Sequence, residues 1–173
     1  QQELIKRDLA HKMVLLTGPR QVGKTSLALA ISEEFVNSVY LNYDHFAHRE
    51  VIHTANWLPE TELLILDELH KMDDWKSYLK GIYDTRQPHL QILVTGSARL
   101  ETFRQSGDSL AGRFFRHRLN PLSLAEITDA SEHTLNKLVE RGGFPEPFLA
   151  ESPIEADRWR AQYIDGLIRT DIL

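Results

Sequence analysis

The sequence feature that most constrains the fold is a glycine-bounded loop near the N-terminus. An apolar run at residues 13–16 leads into it, and a helical pattern with apolar residues at one-turn spacing follows it. The loop reads Gly-x-x-x-x-Gly-Lys-Thr and continues with a serine; its residues are Gly18, Pro19, Arg20, Gln21, Val22, Gly23, Lys24, Thr25 and Ser26. A strand, this loop and a helix in that order indicate a phosphate-binding loop.

Each residue type in the loop suits the binding of a phosphate chain. Gly18 and Gly23 allow a tight turn with no side chain between the backbone and the phosphates. The loop N–H groups and the positive end of the following helix dipole then point at the anion. We expect Lys24 to reach the β- and γ-phosphates and the Thr25 hydroxyl to bind magnesium. The alternative is a glycine-containing loop that precedes an ordinary helix.

Strands and helices alternate along the first two-thirds of the chain. Runs at residues 13–17, 38–43, 63–66, 90–95 and 114–119 predict five strands, with the charged last strand near an edge. This alternation predicts an α/β fold: a three-layer phosphate-loop sandwich around a five-stranded parallel sheet. From residue 121 the pattern is helical only, with candidates at 123–129, 133–141 and 158–172. We therefore expect a core at residues 1–120 and, at 121–173, a partial small helical region that is a lid or the start of a truncated C-terminal region.

Two acidic residues follow the buried strand of residues 63–66. Because ligands of such sheets bind at the carboxyl ends of the strands, we expect Asp67 and Glu68 beside the loop. In phosphate-loop enzymes an acid at this place holds magnesium. A following glutamate can orient and deprotonate an attacking water. Asp67 is thus a candidate magnesium ligand and Glu68 a candidate general base; the alternatives are a cap of the next turn and a solvated carboxylate.

Ser97 and Arg113 complete the set of candidate catalytic residues. Ser97 follows the strand of residues 90–95, where its hydroxyl could reach the γ-phosphate or the attacking water; the alternative is a simple turn residue. Arg113 directly precedes the last strand, and an arginine that meets transition-state charge contributes about 10³–10⁵ in rate. Its alternative is a surface or structural arginine, which contributes at most about 1 kcal/mol.

The order of four motifs resembles a known family. Gly-Pro-Arg-Gln-Val-Gly-Lys-Thr, Leu-Asp-Glu-Leu-His-Lys, Val-Thr-Gly-Ser-Ala and Leu-Ala-Gly-Arg are similar to segments of the prokaryotic ATP-binding proteins of the AAA+ superfamily. The resemblance is greatest to the branch whose ATPase domain precedes a C-terminal domain of unknown function. It implies that the strand before Ser97 lies between those before Lys24 and Asp67. It also implies ATP and Mg²⁺ as ligands.

A second resemblance concerns the helical region. Gly142-Gly143-Phe144-Pro145 is similar to the Gly-x-Pro element of the related signal-transduction ATPases with numerous domains. The resemblance implies that Gly143 and Pro145 close over the adenine side of the nucleotide. The alternative is a glycine–proline break between two helices.

Composition limits the classes of function. Lys and Arg number 20 against 25 Asp and Glu, a formal net charge of −5, so no overall basic field indicates a nucleic-acid partner. The absence of cysteine excludes disulfides and cysteine metal sites and fits a reducing compartment. No apolar stretch is long enough to span a bilayer, so we expect a cytoplasmic protein without a membrane partner. The missing initiator methionine and the helical pattern still running at Leu173 indicate that both ends are cut.

A histidine cluster raises the alternative of a metal site. His45, His48 and His53 lie close in sequence to Asp44 and Glu50. On a helix, His45 and His48 would be neighbours while His53 lies off their face. Solvated histidines are the simpler interpretation.

Three functions follow from these residues. The first is Mg-dependent ATP binding and hydrolysis by an AAA+-type domain that acts as a switch or motor for an unseen effector domain. The second is a nucleotide-binding interaction module with negligible turnover in isolation. The third is a small-molecule kinase. The Asp67-Glu68 pair fits attack on the γ-phosphate by water better than attack by a bound acceptor. Arg113 can act in its own chain or in trans within a homo-oligomer, and the protein client is left open.

Overall fold

The computed structural model describes residues 1–96, 110–127 and 131–169 of the 173-residue chain. The described residues form two compact units, one within the range Gln1–Leu119 and the other within the range Asn120–Leu173. The first unit contains all five strands, and the second contains only helices in its described part. None of the described helices is both long and apolar enough to cross a membrane.

The first unit is built on a parallel sheet. Its strands are β1 (Met13–Thr17), β2 (Ser38–Asn42), β3 (Leu63–Asp67), β4 (Gln91–Thr95) and β5 (Phe114–Arg118). They lie in the order β2-β3-β4-β1-β5, and every adjacent pair is parallel. The predicted five-stranded α/β fold is confirmed, including β4 between β1 and β3 and the charged β5 at an edge.

Helices cover both faces of this sheet. They are α1 (Gln2–Leu9), α2 (Lys24–Ser32), α3 (Phe46–Thr54) and α4 (Trp75–Thr85). Because alternate residues of a strand point to opposite faces, each central strand contributes to two hydrophobic clusters. Leu64 and Leu66 pack with residues of α3 and α4, whereas Leu63 and Ile65 pack with residues of α1 and α2. Burial on both faces explains why the central strands are continuously apolar.

The second unit contains α5 (Glu132–Arg141), α6 (Pro145–Leu149) and α7 (Pro153–Leu167). Its core is aromatic: the ring of Phe144 lies 5.2 Å from Trp159 and 5.0 Å from Tyr163, and the last two rings stack at 4.7 Å. Rings at these separations stabilise one another beyond the area they bury. Trp159 and Tyr163 of α7 thus pack against Phe144, the residue that directly precedes α6.

Two predicted helix boundaries are wrong. The helix expected from residue 158 begins at Pro153, where Ser152 and Glu155 form a capping box. The helix expected at 123–129 is a single 3₁₀ turn, Leu124–Glu126, within the described residues up to 127.

Candidate functional site

The carboxyl ends of β1, β3 and β4 meet at one edge of the sheet, and the glycine-bounded loop leaves β1 there. The loop backbone is unusual: φ is 146° at Gly18, 59° at Gln21 and 100° at Gly23. At Gly18 a Cβ atom would lie 2.3 Å from the carbonyl oxygen of Leu119, the residue that follows β5. Glycine is therefore required at position 18 both by its backbone conformation and by this close approach.

Lys24 is the first residue of α2 and points back into the loop. Its side chain is only 7% exposed, and its Nζ donates hydrogen bonds to the carbonyl oxygens of Gly18 at 3.1 Å and Pro19 at 2.6 Å. Burial lowers the pKa of Lys24, while the negative charges of Glu68 and Asp67 oppose that shift. The ammonium group thus shares one electrostatic environment with both predicted acidic residues.

Asp67 is the most heavily hydrogen-bonded carboxylate of the site. It is 4% exposed at the end of β3. Its Oδ2 accepts hydrogen bonds from Thr25 Oγ1 at 3.0 Å and from Tyr40 Oη at 2.7 Å, and its Oδ1 accepts one from Thr95 Oγ1. Desolvation and the hydrogen bond to Asp67 raise the pKa of Tyr40 to about 12. The structure therefore brings the predicted residues Thr25 and Asp67 together, with Tyr40 and Thr95 as additional partners.

Tyr40 and Thr95 are residues of this site that were not predicted from the sequence. Tyr40 and Asn42 alternate on β2 and so share one face, and Asn42 pairs in register with Asp67. Thr95 pairs in register with Asp67 from the other side, on β4. Polar residues at matching strand ends were the available signal, but its use required the strand order.

Glu68 follows Asp67 in a left-handed backbone conformation with φ of 55°. Its Oε2 lies 3.4 Å from Lys71 Nζ and 3.6 Å from His70 Nε2, and Lys71 also bonds to Asp44. A non-glycine residue with positive φ costs free energy, and such residues cluster at functional sites. The carboxylate is held by basic residues and remains partly exposed.

The residues around Asp67 fit a magnesium ion. Magnesium in nucleotide sites binds through one or two protein oxygen ligands and keeps waters and substrate phosphates as the others. The Thr25 hydroxyl and the Asp67 carboxylate, in contact at 3.0 Å, provide oxygen ligands of this kind. In the described ranges no three His, Cys, Asp or Glu side chains group to hold a metal by themselves. A shared magnesium–phosphate site suits this donor set better than an all-protein metal cage.

The amino edge of the sheet is the side where its parallel strands begin, and the carboxyl edge is the side where they end. Arg113 lies at the amino edge, opposite the loop. It precedes β5, where Phe114 pairs with Met13, the first residue of β1, and its carbonyl accepts a hydrogen bond from Met13 N. The five residues of β1 separate this edge from the loop by roughly 16 Å. The structure does not bring Arg113 together with Lys24 and Asp67.

The Arg113 guanidinium is engaged where it lies. Its Nε and Nη2 bond to the two carboxylate oxygens of Asp84, at 2.8 and 3.0 Å. This bidentate pair of hydrogen bonds lowers the pKa of Asp84 and raises the pKa of Arg113. Both side chains are partly exposed.

Comparison with known proteins identifies the family. Residues 10–128 match the model of a family described as an AAA domain. The chain belongs to this AAA domain family. The resemblance to ATP-binding proteins of the AAA+ superfamily is confirmed, and with it a nucleotide-binding, ATPase-type domain in general terms.

The chain is also similar to two curated relatives and, in its fold, to a solved structure. The AAA domain is 28% identical over 164 residues to uncharacterized proteins of Mycobacterium bovis (Mb2031c) and Mycobacterium tuberculosis (Rv2008c). The match covers 92% of this chain and 36% of each relative, so the chain spans about a third of their length. The fold is similar to that of the Walker-type ATPase PABY2304 of Pyrococcus abyssi, with a TM-score of 0.65 and 18% identity over 99% of this chain and 73% of that one.

The remaining predicted residues have different outcomes. Ser97 lies outside the described residues. Gly143 and Pro145 belong to the second unit, where a Cβ atom on Gly143 would lie 2.3 Å from the carbonyl oxygen of Leu122. Pro145 is the first residue of α6. Close backbone packing thus gives Gly143 a structural reason of its own, and its role towards nucleotide stays a prediction.

The three histidines considered for a metal site have local partners in the AAA domain. His48 Nδ1 accepts a hydrogen bond from Asn42 N at 3.1 Å, and the His45 ring lies 4.3 Å from the His48 ring. His53 Nε2 lies 3.3 Å from Tyr43 Oη. The contacts of all three histidines are thus local, at the connection between β2 and α3 and on α3 itself.

Proposed function

We propose that this AAA domain binds ATP together with Mg²⁺ and hydrolyses the bond to the γ-phosphate. The observation that carries the proposal is the convergence of four side chains at one edge of the sheet. The side chain of Lys24 points into the glycine-bounded loop, where the charges of Asp67 and Glu68 act on it. The Thr25 hydroxyl donates a hydrogen bond to Asp67. Binding of a magnesium–triphosphate requires these groups in this arrangement.

The loop residues have separate tasks in this mechanism. The N–H groups of the loop would bind the phosphate chain, and Lys24 would exchange its bonds to the Gly18 and Pro19 carbonyls for bonds to the β- and γ-phosphates. Thr25 and Asp67 would hold Mg²⁺, which when bound neutralises charge on the phosphate oxygens. The charge of the triphosphate is thereby met by backbone dipoles and by Lys24 in a partly desolvated site.

Glu68 is the proposed general base. It would accept the proton of a water whose oxygen bonds to the γ-phosphorus, while the bond between that phosphorus and the β–γ bridging oxygen breaks and ADP leaves. Its partly exposed carboxylate, next to Asp67, supports this role. Ser97 is proposed to contact the γ-phosphate or the attacking water.

Arg113 is proposed to act in trans, on ATP bound by a second copy of the chain. Its location at the edge opposite its own loop supports this assignment over action in its own chain. The proposal therefore includes a homo-oligomer in which the amino edge of one sheet faces the nucleotide of the next copy.

Residues 121–173 are proposed as a helical lid that follows a core of residues 1–120. In this lid Gly143 and Pro145 would close over the adenine side, as the resemblance implies. Because the curated relatives are about three times as long as the match, we propose that the domain acts as a switch or motor for an effector domain in the full protein.

Two substitutions test the proposal. Binding of a fluorescent ATP analogue (mant-ATP) and release of phosphate are measured with magnesium present. We expect Lys24→Ala to lose about 10²-fold or more in nucleotide affinity, because it removes a charge-assisted contact to phosphate. Glu68→Gln should bind with unchanged affinity and turn over about 10²–10⁴-fold more slowly.

Matched controls are available on the surface. Lys80→Ala and Glu33→Gln remove the same charges at exposed positions and should leave binding and turnover unchanged. Wild-type rates of phosphate release in both Lys24→Ala and Glu68→Gln would overturn the proposal.

A second candidate function is a nucleotide-binding interaction module with negligible turnover. The observation that favours it is the ion pair between Arg113 and Asp84, which holds the candidate arginine away from the loop of its own chain. Tight mant-ATP binding with no phosphate release at any protein concentration would favour this module over the ATPase.

A further inference from the structure

Three hydroxyl groups from three different elements converge on the Asp67 carboxylate. Thr25 reaches it from α2, Tyr40 from β2 and Thr95 from β4. The contact between the Thr25 and Asp67 residues follows from the proposed magnesium site. The other two hydroxyls are not required by that site, so their presence needs a separate explanation.

Tyr40 is the more informative of the two because its hydroxyl is not needed for packing. Its ring is partly buried against the cluster of core residues under α1 and α2, a role that phenylalanine would fill equally. Burying a hydroxyl costs free energy unless a hydrogen bond compensates. Here the compensation is the 2.7 Å bond to Asp67 Oδ2, and Asn42 Nδ2 donates to the same hydroxyl at 3.3 Å.

The contacts of the Tyr40 hydroxyl fix its direction. The amide nitrogen of Asn42 can only donate, so the hydroxyl accepts from Asn42 and gives its own hydrogen to Asp67. Bonds on both carboxylate oxygens, Thr95 on one side and Thr25 with Tyr40 on the other, restrict rotation of the carboxylate about its side-chain bond. The strand order makes this possible, because β2 and β4 flank β3.

We propose that Tyr40 is a positioning residue for magnesium: its hydroxyl holds the Asp67 carboxylate against Thr25 in the orientation that receives the cation. This inference rests on the proposed function. Partners that orient a metal ligand typically contribute about 10–100-fold to metal affinity. Without the hydroxyl, Oδ2 keeps Thr25 and an Asn42 amide at 3.5 Å, which is a weaker constraint on orientation.

The test compares Tyr40→Phe with the wild type and with Tyr43→Phe as matched control. Tyr43 directly follows β2, and its hydroxyl contacts His53 rather than Asp67. Mant-ATP fluorescence is titrated with magnesium, and mant-ATP affinity is measured again in EDTA. Phosphate release against magnesium concentration and the melting temperature are recorded for all three proteins.

We expect Tyr40→Phe to raise the magnesium midpoint of nucleotide binding about 10–100-fold, with mant-ATP affinity in EDTA unchanged. Saturating magnesium should restore turnover to within a few-fold of the wild type. Tyr43→Phe should match the wild type in every measurement. A magnesium midpoint that is raised in this way supports the positioning role, since a loss of packing alone would not depend on magnesium.

Two results would overturn the inference. The first is an unchanged magnesium midpoint in Tyr40→Phe, when the wild type binds nucleotide in a magnesium-dependent manner. The second is an equal loss of affinity in magnesium and in EDTA, which would assign Tyr40 to the fold or to the nucleotide itself. If the wild type shows no magnesium-dependent binding at all, the proposed function fails first and the inference falls with it.

Discussion

The two edges of the parallel sheet carry residues of the same predicted site in different arrangements. At the carboxyl edge, Thr25 and Asp67 are in direct contact, and Lys24 lies in their electrostatic environment. At the amino edge, Arg113 is paired with Asp84, a residue for which the sequence predicted no role. The difference shows that motif order along a chain does not determine which motifs meet, because strand direction decides the edge at which each one lies.

The largest effect is expected from removal of Arg113, the arginine of the amino edge. We expect Arg113→Ala to lower the rate of ATP hydrolysis about 10³–10⁵-fold without changing mant-ATP affinity, because the role proposed for this arginine is to meet transition-state charge. If a second copy supplies the arginine, as proposed, wild-type phosphate release should rise more than linearly with protein concentration. Arg7→Ala, on the exposed face of α1, is the control. Full activity of Arg113→Ala, with a linear concentration dependence, would exclude the amino edge from catalysis.

A smaller effect, on the free energy of unfolding, is expected when one glycine at each edge is replaced by alanine. Gly18→Ala places a Cβ atom 2.3 Å from the Leu119 carbonyl oxygen at a φ of +146°. We expect its free energy of unfolding to fall by roughly 2–4 kcal/mol, from strain and overpacking together. Gly112→Ala has a φ of +76° with no described atom within 4 Å, so only backbone strain of about 1–2 kcal/mol applies. Urea unfolding measures both, and equal losses would contradict the close approach at Gly18.

The smallest expected effect concerns the ion pair of the amino edge. Asp84→Asn should change the melting temperature only slightly at neutral pH, because exposed pairs contribute little. The arginine lowers the pKa of Asp84, so any stabilisation is present above the usual carboxyl range and is lost as pH falls through the folded-state pKa. Thermal unfolding across acidic pH should show the two proteins converging. A difference that grows on acidification would contradict this sign.

The loop and the Asp67-Glu68 pair were predictable because their signals are local. Alternating strands and helices imply a parallel sheet, and a parallel sheet places the ends of β1 and β3 at one edge. The start of α7 also has a local signal, the Ser-Pro-Ile-Glu sequence of residues 152–155, which the predicted start at residue 158 does not use. The 3₁₀ turn at Leu124–Glu126 carries a capping box too, so that motif alone does not predict the length of a helix.

The contacts that were missed join residues distant in sequence. Tyr40 and Asp67 are 27 positions apart, and Arg113 and Asp84 are 29 positions apart. Neither contact leaves a periodic or spacing signal, because each depends on which strands are neighbours and on where a helix ends. Tyr40 also has an apolar explanation as a strand residue, which hides the purpose of its hydroxyl.

The helix α1 lies outside the segment that matches the family, yet it is part of the first unit. Ile5 is fully buried and Leu9 is 3% exposed in the cluster that includes Val14, and Asp8 bonds to His117 of β5 at 2.8 Å. Each such apolar side chain contributes about 1.5–3 kcal/mol through burial. A shortened chain that began at residue 10 would therefore expose the part of the sheet face that α1 covers. The smallest version of this domain that folds by itself is expected to start before the family match does.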